Sequence, residues 1–196
     1  MTTSAAQQQP DQSIDQTIEA RLNELNQRYH DLSPEQRVKQ LYKDFDLSEV
    51  MLTSSFATNS AFLLHLFAST APEQVIHFID TGFHFPETLA YREQLTELYH
   101  LKVVDVHPEE WKHEYTVKDQ TWKTDPDFCC SINKVEPLQE IKKNFNVWVS
   151  GLMRWKTEHR ANRDVFEYRG GVIKFYPLLD VSKEERDGYI RDHNLP

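Results

Sequence analysis

Cysteine is nearly missing from this sequence of 196 residues: it has two, and they are adjacent, Cys129 and Cys130. A secreted disulfide framework needs spaced pairs, and neighbouring cysteines are poorly placed for an unstrained bond to each other. Long apolar runs are missing too, since no stretch reaches the roughly 18 residues that a membrane span needs. There is no basic excess: 22 Lys and Arg stand against 31 Asp and Glu, a formal charge of −9 that argues against nonspecific nucleic-acid binding. The opening MTTSAAQQQPDQSIDQT lacks the basic start and apolar stretch of a secretion signal, so a cytoplasmic location is expected. The nine histidines show no metal-ligand spacing; His65 falls on an apolar helix face, His77 interrupts a strand, and none is assigned as a ligand. No internal repeat is present.

What the sequence does hold is one folded unit. Residues 1–15 are rich in Gln, Ser, Thr and Ala and are expected to be a disordered tail. The rest, 16–196, reads as a single domain, with N-terminal helices over 16–45 and a core over 50–196. Ile18, Leu22, Leu25 and Tyr29 share one helical face, and a second helix is expected after Ser33, with Pro34 in its first turn and Gln36 closing a capping box.

From Val50 the pattern alternates. Strands are expected at Val50–Thr53, Val75–Ile79, Leu101–Val106 and Val147–Ser150, and helices after Ser60, from Pro86 to Tyr99 and from Val135 to Ile141. The stretch from Trp111 to Phe128 reads as an irregular connection with a short helix. Val165–Tyr168 and Val172–Tyr176 flank a hairpin turn at Arg169, Gly170 and Gly171. A last helix starts at Ser182, with Glu185 as its capping partner. Nearly all-apolar strands alternating with helices predict an α/β fold: a mostly parallel sheet with helices on both faces. Ligands of such sheets bind at the carboxyl ends of the strands, where the loops Ser54–Ser60, Asp80–Phe85 and Gly151–Arg160 would open onto one edge.

Each of these loops suits a particular group. Ser54 to Ser60 joins hydroxyl donors to the positive end of the next helix, which favours an anion such as phosphate. Asp80 can accept from a ribose hydroxyl or an amine, or simply cap a turn made by Gly82. Arg154, Lys156, Arg160 and Arg163 gather on an acidic chain at a strand's end, where guanidinium groups bind phosphate or sulfate. A helix start at Asn133, with Glu136 as capping partner, would lower the pKa of a nearby thiol. Cys129 and Cys130 alone cannot complete a four-thiolate metal site, and no Cys-x-x-Cys occurs elsewhere in the sequence, so buried reduced thiols are the competing reading.

Together SSFATNS, DTGFHFPET, CCSINKVEPL and GLMRWKTEHRA, in this order and spacing, resemble the assimilatory sulfonucleotide reductases, over about three quarters of the chain from Val50 to Pro196. These oxidoreductases reduce adenylyl sulfate or its 3′-phosphorylated form to sulfite in sulfate assimilation, toward cysteine biosynthesis, on a fold of the PP-loop, or adenine nucleotide alpha-hydrolase-like, type. The resemblance implies that Ser54, Ser55, Phe56, Ala57, Thr58, Asn59 and Ser60 hold the phosphate and sulfate end. Asp80, Thr81 and Gly82 would line the adenosine pocket, and Lys134, Arg154 and Arg160 would contact the substrate. It also implies thioredoxin or glutaredoxin as reductant, and a homo-oligomer is open.

Cys129 and Cys130 match the vicinal pair of the iron-sulfur branch, which usually prefers the substrate without the 3′-phosphate. That pair is an incomplete ligand set for a [4Fe-4S] cluster. Neither the family's further Cys-x-x-Cys nor its tail cysteine, the catalytic nucleophile, occurs in this sequence, so no catalytic residue is assigned and the chain reads as truncated or divergent. Ala57 stands where the family has glycine, and Met153 where an arginine is common. Two alternatives remain. One is a PP-loop ATP pyrophosphatase, whose Ser-Gly-Gly-x-Asp-Ser loop is kept only at Ser55 and Ser60, with Phe56, Ala57 and Asn59 replacing its glycines and acid. The other is a nucleotide-binding protein without catalysis.

Overall fold

The computed structural model describes residues 12–57, 59–157, 160 and 162–196. Six strands form one sheet: β1 (Val50–Thr53), β2 (Val75–Ile79), β3 (Lys102–Val106), β4 (Val147–Val149), β5 (Phe166–Arg169) and β6 (Val172–Phe175), in the order β3-β2-β1-β4-β6-β5. All pair in parallel except β5, which returns antiparallel on β6 through the expected hairpin. Gly170 and Gly171 adopt φ of 64° and 82° there, which glycine reaches at no steric cost. Val50, Met51, Leu52, Val147 and Val149 are fully buried, as the apolar run of a central strand requires. The edge strand β3 instead exposes Lys102, Val104 and Asp105.

The chain builds outward from β1 to β2 and β3, then crosses back to place β4 and β6 on the other side. That reversal opens a crevice beyond the carboxyl ends of β1 and β4, where open α/β sheets receive ligands. The loops after Thr53 and after Val149 therefore face each other.

Helices cover the sheet. α1 (Gln12–Tyr29) starts earlier than expected, inside the stretch read as a tail; residues 1–11 of that stretch lie outside the described residues. α2 (Pro34–Asp44) carries the expected capping box, with Ser33 accepting from the Gln36 amide and the Gln36 side chain from that of Ser33. Both helices act as scaffold. Tyr29 packs edge-on to Phe166, with ring centroids 4.7 Å apart, and Asn26 bonds both the amide and the carbonyl of Phe166, at 2.8 and 3.0 Å. Arg37 of α2 is 3% exposed, and its guanidinium donates to the carbonyls of Tyr29, His30 and Pro177 and to Asp180.

α3 (Ala61–Thr70) and α4 (Pro86–Tyr99) follow β1 and β2. The stretch from Trp111 to Phe128 corrects the expected irregular connection, because it holds three helices: α5 (Glu110–Lys118), α6 (Thr121–Thr124) and the start of α7 (Pro126–Cys130). Gln120 in the left-handed region separates α5 from α6, and Asp125 caps α7 by accepting from the Phe128 amide at 3.0 Å. Those turn and capping residues look like loop composition in sequence, yet here they join short helices. α8 (Glu136–Lys142) continues α7 through a π turn at Ser131–Val135, so the expected helix start at Asn133 is not formed. The last helix, α9 (Lys183–Asp192), has the expected Ser182 and Glu185 box and lies on α3 through Tyr189, stacked 3.9 Å from Phe62.

Candidate functional site

At the carboxyl end of β1 the chain turns sharply. The Ser54 hydroxyl accepts from the Phe56 amide at 3.0 Å, and Phe56 takes φ of 49° while its ring is fully buried 5.7 Å from Phe78. A bulky residue seldom occupies that left-handed region, and the Phe56 ring anchors the loop in the core, leaving its backbone for a ligand. Ser55, Ala57 and Asn59 are exposed around it; Thr58 lies outside the described residues. Among the described residues the Ser60 side chain makes no cap to α3, which leaves first-turn amides of that helix to an anion.

The second loop realises the turn reading of Asp80. Its Oδ1 accepts from the Gly82 amide at 2.9 Å, and Gly82 has φ of 72°. A Cβ on Gly82 would sit 2.6 Å from His113 Cε1, so only glycine fits. The other carboxylate oxygen of Asp80 lies 3.8 Å from His107 Nδ1 and faces the same edge, and the Thr81 hydroxyl accepts from the Phe83 amide.

Behind Gly82 runs a network that the sequence did not reveal. His113 Nδ1 meets Asn133 Oδ1 at 2.8 Å, while the Asn133 amide reaches the Thr116 hydroxyl, the Cys129 carbonyl and, at 3.5 Å, the Cys129 sulfur. Asn133 is 1% exposed and Cys129 is 6% exposed, whereas Cys130 is exposed on the next position, about 100° around the helix. Both cysteines end α7, so the helix-start effect expected from Asn133 does not act on them. Lys134 is exposed on the π turn just beyond.

Two thiolates are half of what a [4Fe-4S] cluster takes. Among the described residues no group of three or more His, Cys, Asp or Glu could hold a metal ion. The residues present do not fit a complete cluster.

The basic loop after Gly151 divides its charges. Arg154 is committed to the fold: its guanidinium pairs with Asp180 and donates to the Arg163 carbonyl at 2.7 Å. Arg163 pairs with Glu167. Lys156 and Arg160 have no carboxylate partner among the described residues, and burial, then Arg186 and Arg160, push the Lys156 pKa down. Arg186, which sequence reasoning missed, arrives from α9. Its Nη1 donates to Asn59 Oδ1 at 3.0 Å and its guanidinium lies 5.3 Å from the Trp155 ring. Arg186 also pairs with Asp187, while Lys156 and Arg160 add their charge nearby, so the cations beside Arg186 outnumber the carboxylates and favour an anion there.

Residues 49–196 match the family model described as phosphoadenosine phosphosulfate reductase domain. An adenosine 5′-phosphosulfate reductase of Chelativorans sp. (strain BNC1) is 36% identical over 93% of this chain and 75% of the relative. A phosphoadenosine 5′-phosphosulfate reductase of Gloeobacter violaceus is 31% identical over 97% of this chain and 79% of the relative. The crystal structure of the phosphoadenylyl-sulfate reductase of Candida auris, in complex with phosphate, superposes with a TM-score of 0.76 at 24% identity, over 89% of this chain and 86% of that one. An NH3-dependent NAD synthetase of Campylobacter jejuni shares the fold at a TM-score of 0.56 and 12% identity, over 89% of this chain and 74% of that chain.

Proposed function

Because the chain belongs to the phosphoadenosine phosphosulfate reductase family, we propose that it binds adenylyl sulfate or its 3′-phosphorylated form and takes part in its reduction to sulfite in the cytoplasm. The observation that carries this reading is Arg186 bonded to Asn59 of the first loop, with Lys156 and Arg160 of the basic loop close enough to Arg186 for their charges to act on one another. Those cations suit the phosphosulfate, the first-turn amides of α3 suit its phosphate, and Asp80 Oδ2, beside His107, suits a ribose hydroxyl.

In the reaction a complementing thiolate, not one assigned in this chain, attacks the sulfate sulfur, the bond from sulfur to the bridging oxygen breaks, and the nucleotide leaves with the electron pair. The cations stabilise the charge that develops on the leaving phosphate. The thiosulfonate is then resolved by a dithiol of the thioredoxin or glutaredoxin class, which becomes a disulfide and releases sulfite. The cytoplasm keeps such dithiols reduced. The reading is independent of a cluster at Cys129 and Cys130.

Calorimetric titration with adenylyl sulfate, its 3′-phosphorylated form and ATP under matched conditions is the test. The proposal expects either sulfonucleotide to bind more tightly than ATP. Equal or tighter binding of ATP would overturn it in favour of an adenylating enzyme.

A further inference from the structure

A second concentration of positive charge lies on the sheet face, bordered at one side by Leu152, Thr157 and Arg160 of the basic loop. Its floor is Trp148 of β4, with Lys174 of β6 directly beside it in register and its Nζ 2.8 Å from the indole centroid. Lys142 enters from α8, Arg169 from the end of β5, and Arg160 and Arg163 from the basic loop, enclosing a groove of about 420 Å³ that reaches Gly170 at the amino-terminal end of β6.

The charge in this groove is not balanced. Glu167 stands across the ladder from Lys174, but Arg163 and the Tyr176 hydroxyl occupy its carboxylate. Lys142 donates to the Gly170 carbonyl, and Arg160, Arg169 and Lys174 have no carboxylate among the described residues. Elsewhere on this acidic chain Arg28, Arg37, Arg92, Lys102, Lys112, Lys143 and Arg154 each find one. Burial, then Lys142 and Arg169, push the Lys174 pKa down to about 8. Like charges gathered from four elements on a half-buried floor repel one another unless an anion lies between them.

We propose that the groove over Trp148 and Lys174 is an anion site separate from the nucleotide loops, built for a small oligoanion of the phosphate or sulfate class. Its five cations, Lys142, Arg160, Arg163, Arg169 and Lys174, fit a ligand with more than one charged centre better than a single oxyanion. Its volume holds such a ligand with water to spare, since a water takes up about 30 Å³ of liquid. The proposal does not depend on the sulfonucleotide reading: only Arg160 is common to both sites, so the test leaves Arg160 in place.

The experiment titrates inorganic pyrophosphate into the protein at fixed ionic strength, with inorganic phosphate and sulfate as weaker comparisons. It is repeated on the Lys142→Ala/Arg169→Ala double variant and on Lys174→Met. The thermal midpoint reports the fold of each variant whether or not any nucleotide binds. Saturable binding of one pyrophosphate per chain, weakened at least tenfold in variants with the parent's midpoint and leaving adenylyl sulfate affinity unchanged, is the expected result. Absence of saturable binding, equal binding by folded variants, or displacement of pyrophosphate by adenylyl sulfate would each overturn the proposal. Lys174→Met is the second variant should the double variant fail to fold.

Discussion

Phe56 sets two effects against each other at one position, and their magnitudes decide the outcome. Its ring is fully buried against Phe78, and truncating such a phenylalanine to alanine costs about 3–5 kcal/mol. Its backbone sits at φ of 49°, where any residue with a Cβ carries about 1–2 kcal/mol of strain. Phe56→Ala loses the packing and keeps the strain, so its stability falls by about 3–5 kcal/mol. Phe56→Gly loses the same packing and sheds the strain, but glycine also frees the unfolded chain, which takes back about 0.4–1 kcal/mol. The expected order is parent, then Gly, then Ala, with the two variants about 0.5–1 kcal/mol apart. Urea denaturation of the three proteins, with slopes compared to exclude changes in the unfolded state, measures that order. A Phe56→Gly protein as stable as the parent would show that strain outweighs packing. An alanine variant more stable than the glycine one would show that the left-handed backbone carries no cost.

Further tests concern the site and its supports. Arg160→Ala should weaken sulfonucleotide binding by about 1.5–3 kcal/mol in calorimetry, since charge-assisted contacts to an anion contribute that much, and unchanged affinity would make Arg160 surface decoration. Asp180→Ala removes the carboxylate shared by Arg37 and Arg154. Asp180 is 42% exposed, so the loss should fall below the cost of breaking a fully buried pair, about 1–3 kcal/mol by thermal denaturation, and a change within error would refute it. Burial depresses the pKa values of His65 and His77 below 6.5 in the folded state, His65 further because His193 lies beside it. The unfolded chain therefore takes up protons first as pH falls. Stability should be flat above about pH 7 and decline below 6.5, with a shallower decline in His65→Gln and His77→Gln; equal slopes would remove these histidines as the cause. Anaerobic iron and sulfide reconstitution of the chain as a monomer should yield no stoichiometric [4Fe-4S] cluster, and a cluster on a sized monomer would reveal a ligand other than cysteine.

Local signals proved the most legible. The Ser33 and Ser182 capping boxes each span four residues, and both formed as read. Alternating apolar strands and helices predicted the parallel sheet, because burial on both faces leaves its mark on the central strand β1. What stayed hidden depended on distant partners. Arg154 meets Asp180 26 positions away, so its basic loop composition looked like free charge. Arg186 reaches Asn59 across 127 positions, carried there by the packing of Tyr189 on Phe62. Asn133 carried a faint signal, four residues after Cys129 and so on the same helical face, but a helix start was the simpler reading. The left-handed turn of the first loop falls on Phe56, not on Ala57 where the family has glycine; no propensity favours phenylalanine there, and only the core pocket for its ring accounts for it.

The π turn at Ser131–Val135 bears on how chains of this kind are lined up against one another. A π turn holds one residue more than an α-helix of the same span, so the stretch from Pro126 to Lys142 carries a surplus position. A homologous chain with one residue fewer there would run as regular helix. Its residues before and after the deletion would keep the relative orientation they have here, because the wide turn absorbs the extra residue. The cysteine four residues before Asn133 in this chain would then stand three residues before its counterpart, on the same face. An alignment that scores the two chains as gapless through this stretch would equate side chains that point in different directions. The bookkeeping of which thiol is buried and which meets solvent has to be settled in space before it is settled in columns.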